Sequence, residues 1–157
     1  MAKSGKVEIA LDIAKSIEDI EIRDHSLSEI ADEMTKSGKA EVALEAANSI
    51  KDNESQDIVL SRIAVEIAKS GKTELALDTA KSIKEKEILA YADALSGIAV
   101  EMAKAGNAEM ALQTADSIDK NLPMRTDALI KIALNLARQQ MTKDQEKQVA
   151  TRLMSMK

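Results

Sequence analysis

The sequence has no cysteine, tryptophan or phenylalanine, and Tyr91, His25 and Pro123 are the only residues of their kinds. Without cysteine, disulfide bonds and thiolate metal sites are excluded, and the chain suits a reducing compartment. With a single aromatic ring, the core must be built from Ala, Leu, Ile, Val and Met, which suit close packing between helices. We therefore predict a cytoplasmic protein with an aliphatic core.

Long apolar runs and an excess of basic residues are also missing. No apolar stretch approaches the ~20 residues that a membrane-spanning helix needs. The 22 Lys and Arg residues are outnumbered by 27 Asp and Glu residues, which gives a net charge of −5. A nucleic-acid-binding surface is instead strongly basic. We predict that neither a membrane nor a nucleic acid is a partner of this chain.

What the sequence does contain is a repeat, of the form A-K-S-G-K-x-E-x-A-L. Its glycines are Gly5, Gly38, Gly71 and Gly106, at intervals of 33, 33 and 35 residues. A fixed period in this range is typical of a solenoid built from stacked pairs of helices. The repeat therefore predicts the fold, whereas it contains no chemistry of its own.

Two helices can be read in each repeat. After every glycine, alanine recurs five and nine residues on and isoleucine twelve residues on, which is the spacing of one helical stripe. This pattern predicts a helix B over residues 6–18, 39–51, 72–84 and 107–119. A second Leu–Ile–Ala stripe precedes the glycines and predicts a helix A over residues 24–37, 57–70, 89–105 and 124–140.

Glycine most easily adopts the left-handed conformation that ends a helix, so we expect Gly38, Gly71 and Gly106 to end the first three A helices. Gln140 stands where the fourth glycine is expected. These assignments leave only short polar linkers, so we predict a single helical-repeat domain over residues 1–157.

This arrangement resembles the tetratricopeptide repeat over essentially the whole chain. The resemblance rests on a small residue where helices A and B cross (Ala31, Ala64, Ala99 and Ala133) and on an early alanine in helix B (Ala43, Ala76 and Ala111). It implies an all-α fold, a right-handed α-solenoid of antiparallel helix pairs with about nine helices. Other α-solenoid families share the helix-pair architecture and remain alternatives.

The two ends of the repeat array differ. Residues 1–5 align with the last turn of a helix A, so the domain starts mid-repeat. Either the chain belongs to a longer array or the protein begins at this point. At the other end, Thr142 and Gln145 have the spacing of a capping box. This spacing predicts a separate polar helix over residues 142–155, within a capping segment over residues 141–157.

His25 is the only residue that suggests metal chemistry, because Glu29 and Asp32 share its predicted helical face. The alternative, which we favour, is an exposed histidine among solvated acids. No phosphate-binding loop, zinc motif or nucleophile with an activating base is present in the sequence. We predict that the protein is not an enzyme and uses no metal or other cofactor.

The resemblance places a partner-binding groove on the concave face of helix A. The predicted partner-binding residues on this face are His25, Asp32, Ile58, Ser61, Val65, Asp93, Ser96, Val100, Asp127, Ile130 and Leu134. Val65, Val100 and Leu134 form an apolar line that would suit an apolar helix or an extended peptide. Alternatively, tight superhelical curvature closes this face of small residues.

Three functions remain to be compared. The first is a scaffold for protein–protein interaction through the helix A face, by analogy with other solenoids. The second is self-assembly through the incomplete first repeat, for which we expect a weak homodimer at the N-terminal helix. The polar capping helix makes an open-ended assembly less favourable in this reading. The third, a metal-dependent enzyme, rests on His25 alone.

Overall fold

The structure, a computed structural model, describes residues 4–83 and 88–155, with the side chains of residues 6–83, 88–145, 147 and 148. Residues 1–3 of the predicted partial helix A, residue 84 of the third predicted helix B and residues 156–157 of the predicted capping segment lie outside these ranges. Within the described ranges, every regular element is an α-helix. The predicted all-α class is confirmed.

Eight helices make up the described part of the chain: α1 Ser4–Lys15, α2 Ile20–Lys36, α3 Ala40–Ser49, α4 Asn53–Lys69, α5 Thr73–Lys81, α6 Ile88–Lys104, α7 Ala108–Asp116 and α8 Pro123–Ser155. The predicted A helices correspond to α2, α4, α6 and the first half of α8. The predicted B helices correspond to α1, α3, α5 and α7. None of these helices combines the length and apolar character required to cross a bilayer.

Two of the A helices begin four residues earlier than predicted, because aspartates cap their N-termini. The Ile22 amide donates a hydrogen bond to Asp19 Oδ1 at 3.0 Å, before α2. The Ser55 amide donates to Asp52 Oδ1 at 2.8 Å, before α4. An aspartate at this position satisfies amides that have no partner inside the helix.

The turn between each A helix and its B helix is built on glycine, as predicted. Gly38, Gly71 and Gly106 have φ angles of 72°, 81° and 87°. The amide of the following residue donates back into the last turn of the A helix, as Lys39 N does to Met34 O at 2.9 Å. This bond and the left-handed glycine together form a Schellman motif, which satisfies the last carbonyls of the helix.

The C-terminal part differs from the prediction. Instead of an A helix and a separate capping helix, α8 runs unbroken for 33 residues. Gln140, in the fourth glycine position, lies inside the helix, so no left-handed residue ends it there. Thr142 does not cap a new helix, because its hydroxyl donates to the Arg138 carbonyl one turn earlier at 3.1 Å. The prediction of a separate helix over residues 142–155 is wrong.

At the N-terminal end, Ser4 and Gly5 belong to α1. Gly5 therefore does not form the turn that Gly38, Gly71 and Gly106 form, although it occupies the same position in the repeat. Its predicted role as the end of a partial helix A is not found in the described residues.

The helices are arranged in two rows. The A helices contact one another in chain order, α2 with α4, α4 with α6, and α6 with α8. Each of α3, α5 and α7 contacts both the A helix before it and the A helix after it, and α1 contacts α2. The B helices therefore lie along one side of the A-helix row and leave its other side open.

Alanine fills the space where the two rows meet. The fully buried alanines of the repeat are Ala31, Ala64 and Ala99 on the A helices, and Ala43, Ala47, Ala76, Ala80, Ala111 and Ala115 on the B helices. Their small side chains permit close approach of the helix backbones. Ala133, the corresponding residue of α8, is exposed because no described B helix follows it.

A buried carboxylate joins α2 to the turn before α4. Asp24 Oδ2 accepts hydrogen bonds from the Lys51 amide at 2.9 Å and the Asp52 amide at 2.8 Å. Arg23 Nε lies 3.6 Å from the other oxygen of Asp24. These bonds fix the orientation of successive A helices, on which the shape of the open face depends.

Candidate functional site

The open side of the A-helix row carries a groove of about 660 Å³, which we call the A-helix groove. All four A helices contribute to it. Its lining consists of Asp32, Thr35 and Lys36 from α2, Ser61, Arg62, Val65 and Glu66 from α4, Ser96, Gly97 and Asp93 from α6, and Asp127 and Lys131 from α8. The predicted face is therefore open, and the alternative in which curvature closes it is not found.

Small residues occupy the middle of the groove. Ser61 and Ser96 are buried, and they hold the same position of the repeat, ten residues before the turn glycine. Gly97 lies beside them with no side chain, and Val65 is half-buried against it. A groove lined by such short side chains leaves room for the side chains of a bound chain.

Gly97 also determines how closely α4 approaches α6. A methyl group built at Gly97 would overlap Val65 Cγ2 and would lie 3.1 Å from Val65 Cγ1. Carbon atoms in favourable contact are about 3.5–4.0 Å apart. Glycine is therefore required here by close packing, and the backbone of α6 lies against the Val65 side chain.

Charged residues of both signs surround these small residues. Arg62 Nη2 lies 3.1 Å from Asp32 Oδ1, which links α4 to α2. Lys131 Nζ lies 2.5 Å from Asp127 Oδ2, one turn away on the same helix. Glu66 pairs with Lys69 of the same helix, α4. Most charges of the groove therefore already have a partner.

Two charged groups of the groove differ from these because neither is paired with another described residue. Among the described residues, Asp93 on α6 and Lys36 on α2 have neither an ion-pair nor a hydrogen-bond partner. Asp93 is exposed, but the surrounding groups remove part of the water around its carboxyl, and this loss of hydration raises its pKa. A carboxylate that has lost some of its water without gaining a partner would be stabilised by a cationic group. Lys36 correspondingly offers a cation at the α2 end of the groove.

The structure brings together six of the eleven predicted partner-binding residues, namely Asp32, Ser61, Val65, Asp93, Ser96 and Asp127. The other five lie outside the described lining of the groove. Val100 is half-buried on α6, and Ile58 is exposed on α4. Ile130 and Leu134 lie on the exposed surface of α8. The predicted apolar line of Val65, Val100 and Leu134 therefore does not form a continuous floor.

His25 lies in a separate depression of about 450 Å³, together with Asp24, Ser28 and Asp52. Its Nε2 atom is 3.6 Å from Glu29 Oε1, and both side chains are largely exposed. Asp24 is committed to the backbone amides of the next turn. Within the described residues, no group of three or more His, Asp or Glu side chains is arranged to hold a metal ion.

Several residues of the groove were not predicted from the sequence. Arg62, Gly97 and Lys131 share one position of the repeat, nine residues before the turn glycine or its counterpart Gln140. At this position a basic residue alternates with glycine, a pattern visible when the repeats are aligned. Lys36, two residues before Gly38, was not among the predicted residues either.

Comparison of the chain with protein-family models, curated proteins and solved structures gave no match. The resemblance to the tetratricopeptide repeat therefore rests on the repeated residues alone.

Proposed function

We propose that this chain is a non-catalytic, tetratricopeptide-like scaffold that binds a protein or peptide in the A-helix groove. In this proposal the helix pairs are antiparallel and stack as a right-handed α-solenoid, and the protein acts in the cytoplasm. The groove supports binding because it spans all four A helices and has a centre of small residues. The observation that most directly supports binding is that Asp93 and Lys36 of this groove have no partner among the described residues.

The same charges define the chemistry of the partner. An extended peptide has side chains on both sides of its backbone, so it can present groups to successive A helices. A lysine or arginine of the peptide would pair with Asp93, and an acidic residue would pair with Lys36. We therefore propose a polar peptide of mixed charge in place of the apolar partner that the sequence suggested.

Selection from a displayed random-peptide library on the immobilised protein tests this function. We expect the enriched peptides to contain a basic residue, and their affinity to fall about tenfold or more with Asp93→Lys, a loss of roughly 1.4 kcal/mol. Glu109→Lys makes the same charge change on α7, away from the groove, and should leave binding unchanged. Equal binding by both variants, or no enrichment at all, would rule out the groove.

A second candidate function is self-association. The observation that favours it is exposed isoleucine on α1, where Ile9 is 60% and Ile13 is 62% exposed. Isolated apolar residues on a surface are common, but these two lie together beside an apolar groove between α1 and α2. Burial of this surface against another copy of the chain would remove it from water.

A further inference from the structure

Each A helix in the interior of the molecule has the same two kinds of neighbouring helix on its C-terminal side in the chain order. Helix α4 contacts its own B helix, α5, and the next A helix, α6. Helix α6 likewise contacts α7 and α8, and α2 contacts α3 and α4. A B helix and the A helix that follows it therefore form a docking site for the A helix that precedes them, and we call this site a seat. This arrangement occurs three times within the described residues.

Helices α1 and α2 form the same kind of seat, but without an occupant among the described residues. The groove between them has a volume of about 520 Å³. We call it the N-terminal groove. Its apolar lining consists of Val7, Ala10, Ile13 and Ala14 from α1, of Ile17 from the segment between α1 and α2, and of Ile30 and Met34 from α2.

The exposure of the groove residues, compared with that of their counterparts in the other repeats, indicates which kind of helix would fill the groove. Ala10 is exposed, and its counterparts in the other B helices, each covered by an A helix, are the fully buried Ala43, Ala76 and Ala111. Ile13 is 62% exposed, and its counterparts are the buried Ala46, Thr79 and Thr114. On α2, Ile30 is only partly buried, and its counterparts are the buried Ile63, Ile98 and Ile132. An A helix in the groove would cover all three residues.

The opposite end of the molecule has an A helix, α8, that is not followed by a B helix in the described residues. Its exposed surface carries an apolar stripe at helical spacing, formed by Ile130, Ala133, Leu134 and Ala137. Ile130 is 55% and Leu134 is 50% exposed. The counterparts of this stripe on α6 are Ser96, Ala99 and Ala103, which are buried, and Val100, which is half-buried.

We propose that α8 of one copy occupies the N-terminal groove of the next copy. Helix α8 would then gain α1 as its B helix and α2 as its following A helix, the two neighbours that α4 has in α5 and α6. The occupant is thus the helix type found in each interior seat. This proposal rests on the second candidate function, self-association, and is independent of peptide binding.

Charge is compatible with the same pairing. Glu29 and Glu33 lie on the α2 side of the N-terminal groove, and Lys6 lies on its α1 side. Arg138 lies beside the apolar stripe on α8, whereas Lys131 is already paired with Asp127. Because the groove carries both signs of charge, charge does not separate head-to-tail contact from the symmetric N-terminal dimer expected from the sequence. The repeated arrangement of the interior helices is what favours head-to-tail contact.

Such a contact joins two different surfaces and leaves one of each free, so it propagates unless it closes into a ring. The separate polar capping helix predicted from the sequence would have disfavoured propagation. That helix is absent from the described residues, and α8 is apolar along its exposed stripe before Thr142. The reason for disfavouring an open-ended assembly therefore no longer applies.

Sedimentation equilibrium of the full chain over a range of concentrations tests the proposal. Ile13→Glu blocks the N-terminal groove and Leu134→Glu blocks the α8 stripe. Both side chains are exposed, so both variants should fold, and circular dichroism checks this. Met110→Glu changes an exposed apolar residue on α7, away from both surfaces, and serves as the matched control.

We expect the mass of the wild-type chain and of Met110→Glu to rise beyond that of a dimer as concentration increases. Each blocked variant should stay monomeric alone, because neither retains both surfaces. An equimolar mixture of the two blocked variants should form a dimer and no larger species, because one intact groove can still receive one intact stripe.

Two results would overturn the proposal. A wild-type chain that stays monomeric to high micromolar concentration removes both self-association and the head-to-tail contact. A dimer that is lost with Ile13→Glu but kept with Leu134→Glu identifies a symmetric N-terminal contact. That second result would leave self-association standing and would refute only the head-to-tail arrangement.

Discussion

Replacement of Gly97 by alanine should reveal how closely α4 and α6 are packed. Inside a helix, alanine is more favourable than glycine by about 1 kcal/mol, so this change normally stabilises. Here the new methyl group would overlap Val65 Cγ2 and lie 3.1 Å from Cγ1. Overpacking of this kind typically costs about 1–3 kcal/mol. We therefore expect Gly97→Ala to lower the free energy of unfolding by about 1 kcal/mol.

Val65 cannot easily move away from the new methyl group. Its branched side chain has one strongly preferred rotamer in a helix, and a strained rotamer costs roughly 0.5–1.5 kcal/mol. In a Val65→Ala background both Cγ atoms are absent and only the Cβ atom remains, 3.3 Å from the new methyl group. Gly97→Ala should then stabilise, by less than the roughly 1 kcal/mol of the helix-propensity difference. The two effects differ in sign, and we expect a coupling energy of about 1–2 kcal/mol.

Four chains are needed to measure this coupling: the wild type, Gly97→Ala, Val65→Ala and the double variant. Their unfolding in urea is followed by far-ultraviolet circular dichroism. Low protein concentration keeps association out of the measurement. Ile58 is exposed on the same helix as Val65, so an Ile58→Ala background should leave the Gly97→Ala effect unchanged. If Gly97→Ala has the same effect with and without Val65, within about 0.5 kcal/mol, the close approach of α4 and α6 is refuted.

Two further predictions concern carboxylates. Asp24→Ala removes the bonds to the Lys51 and Asp52 amides, and hydrogen bonds to a charged group contribute about 1.5–3 kcal/mol each. We expect the free energy of unfolding in urea to fall by about 3 kcal/mol, and a loss below about 1 kcal/mol would contradict the role of Asp24. For Asp93, partial desolvation raises the pKa, so the folded chain binds the proton more tightly than the unfolded chain does. Its carboxylate therefore costs stability above the folded-state pKa and nothing below the unfolded value of roughly 3.9. Asp93→Asn should raise Tm near neutral pH, and this gain should disappear as the pH falls through that range. A gain that grows on acidification would contradict the partial desolvation of the Asp93 carboxyl.

The sequence predicted the helices well because their signals are local. A glycine that must adopt a positive φ marks the end of a helix within one turn, as at Gly38, Gly71 and Gly106. The alanine stripes predicted the buried faces, and Ala64 and Ala99 are fully buried. The prediction was wrong at Thr142, where an uninterrupted helix forms in place of the helix start that the capping-box spacing predicts.

The groove was predicted in part. Asp32, Ser61 and Asp93, which were predicted to share one face, line the same groove, because position in the repeat determines the face of each helix. Ile130 and Leu134 hold equivalent positions but do not line it. Their surroundings depend on which helices follow α8, and a position in the repeat carries no such information.

By itself, the sequence determined the period of the repeat, the helix type of each segment and the residues that face the core. These properties follow from backbone conformation and from residues three or four apart, so they need no knowledge of distant neighbours. Only the tertiary structure decided that Asp93 has no partner among the described residues, that the backbone at Gly97 lies against Val65, and that α1 contacts one described A helix where α3, α5 and α7 each contact two. Each of these depends on groups far apart in the chain, whose distances arise only when the helices pack.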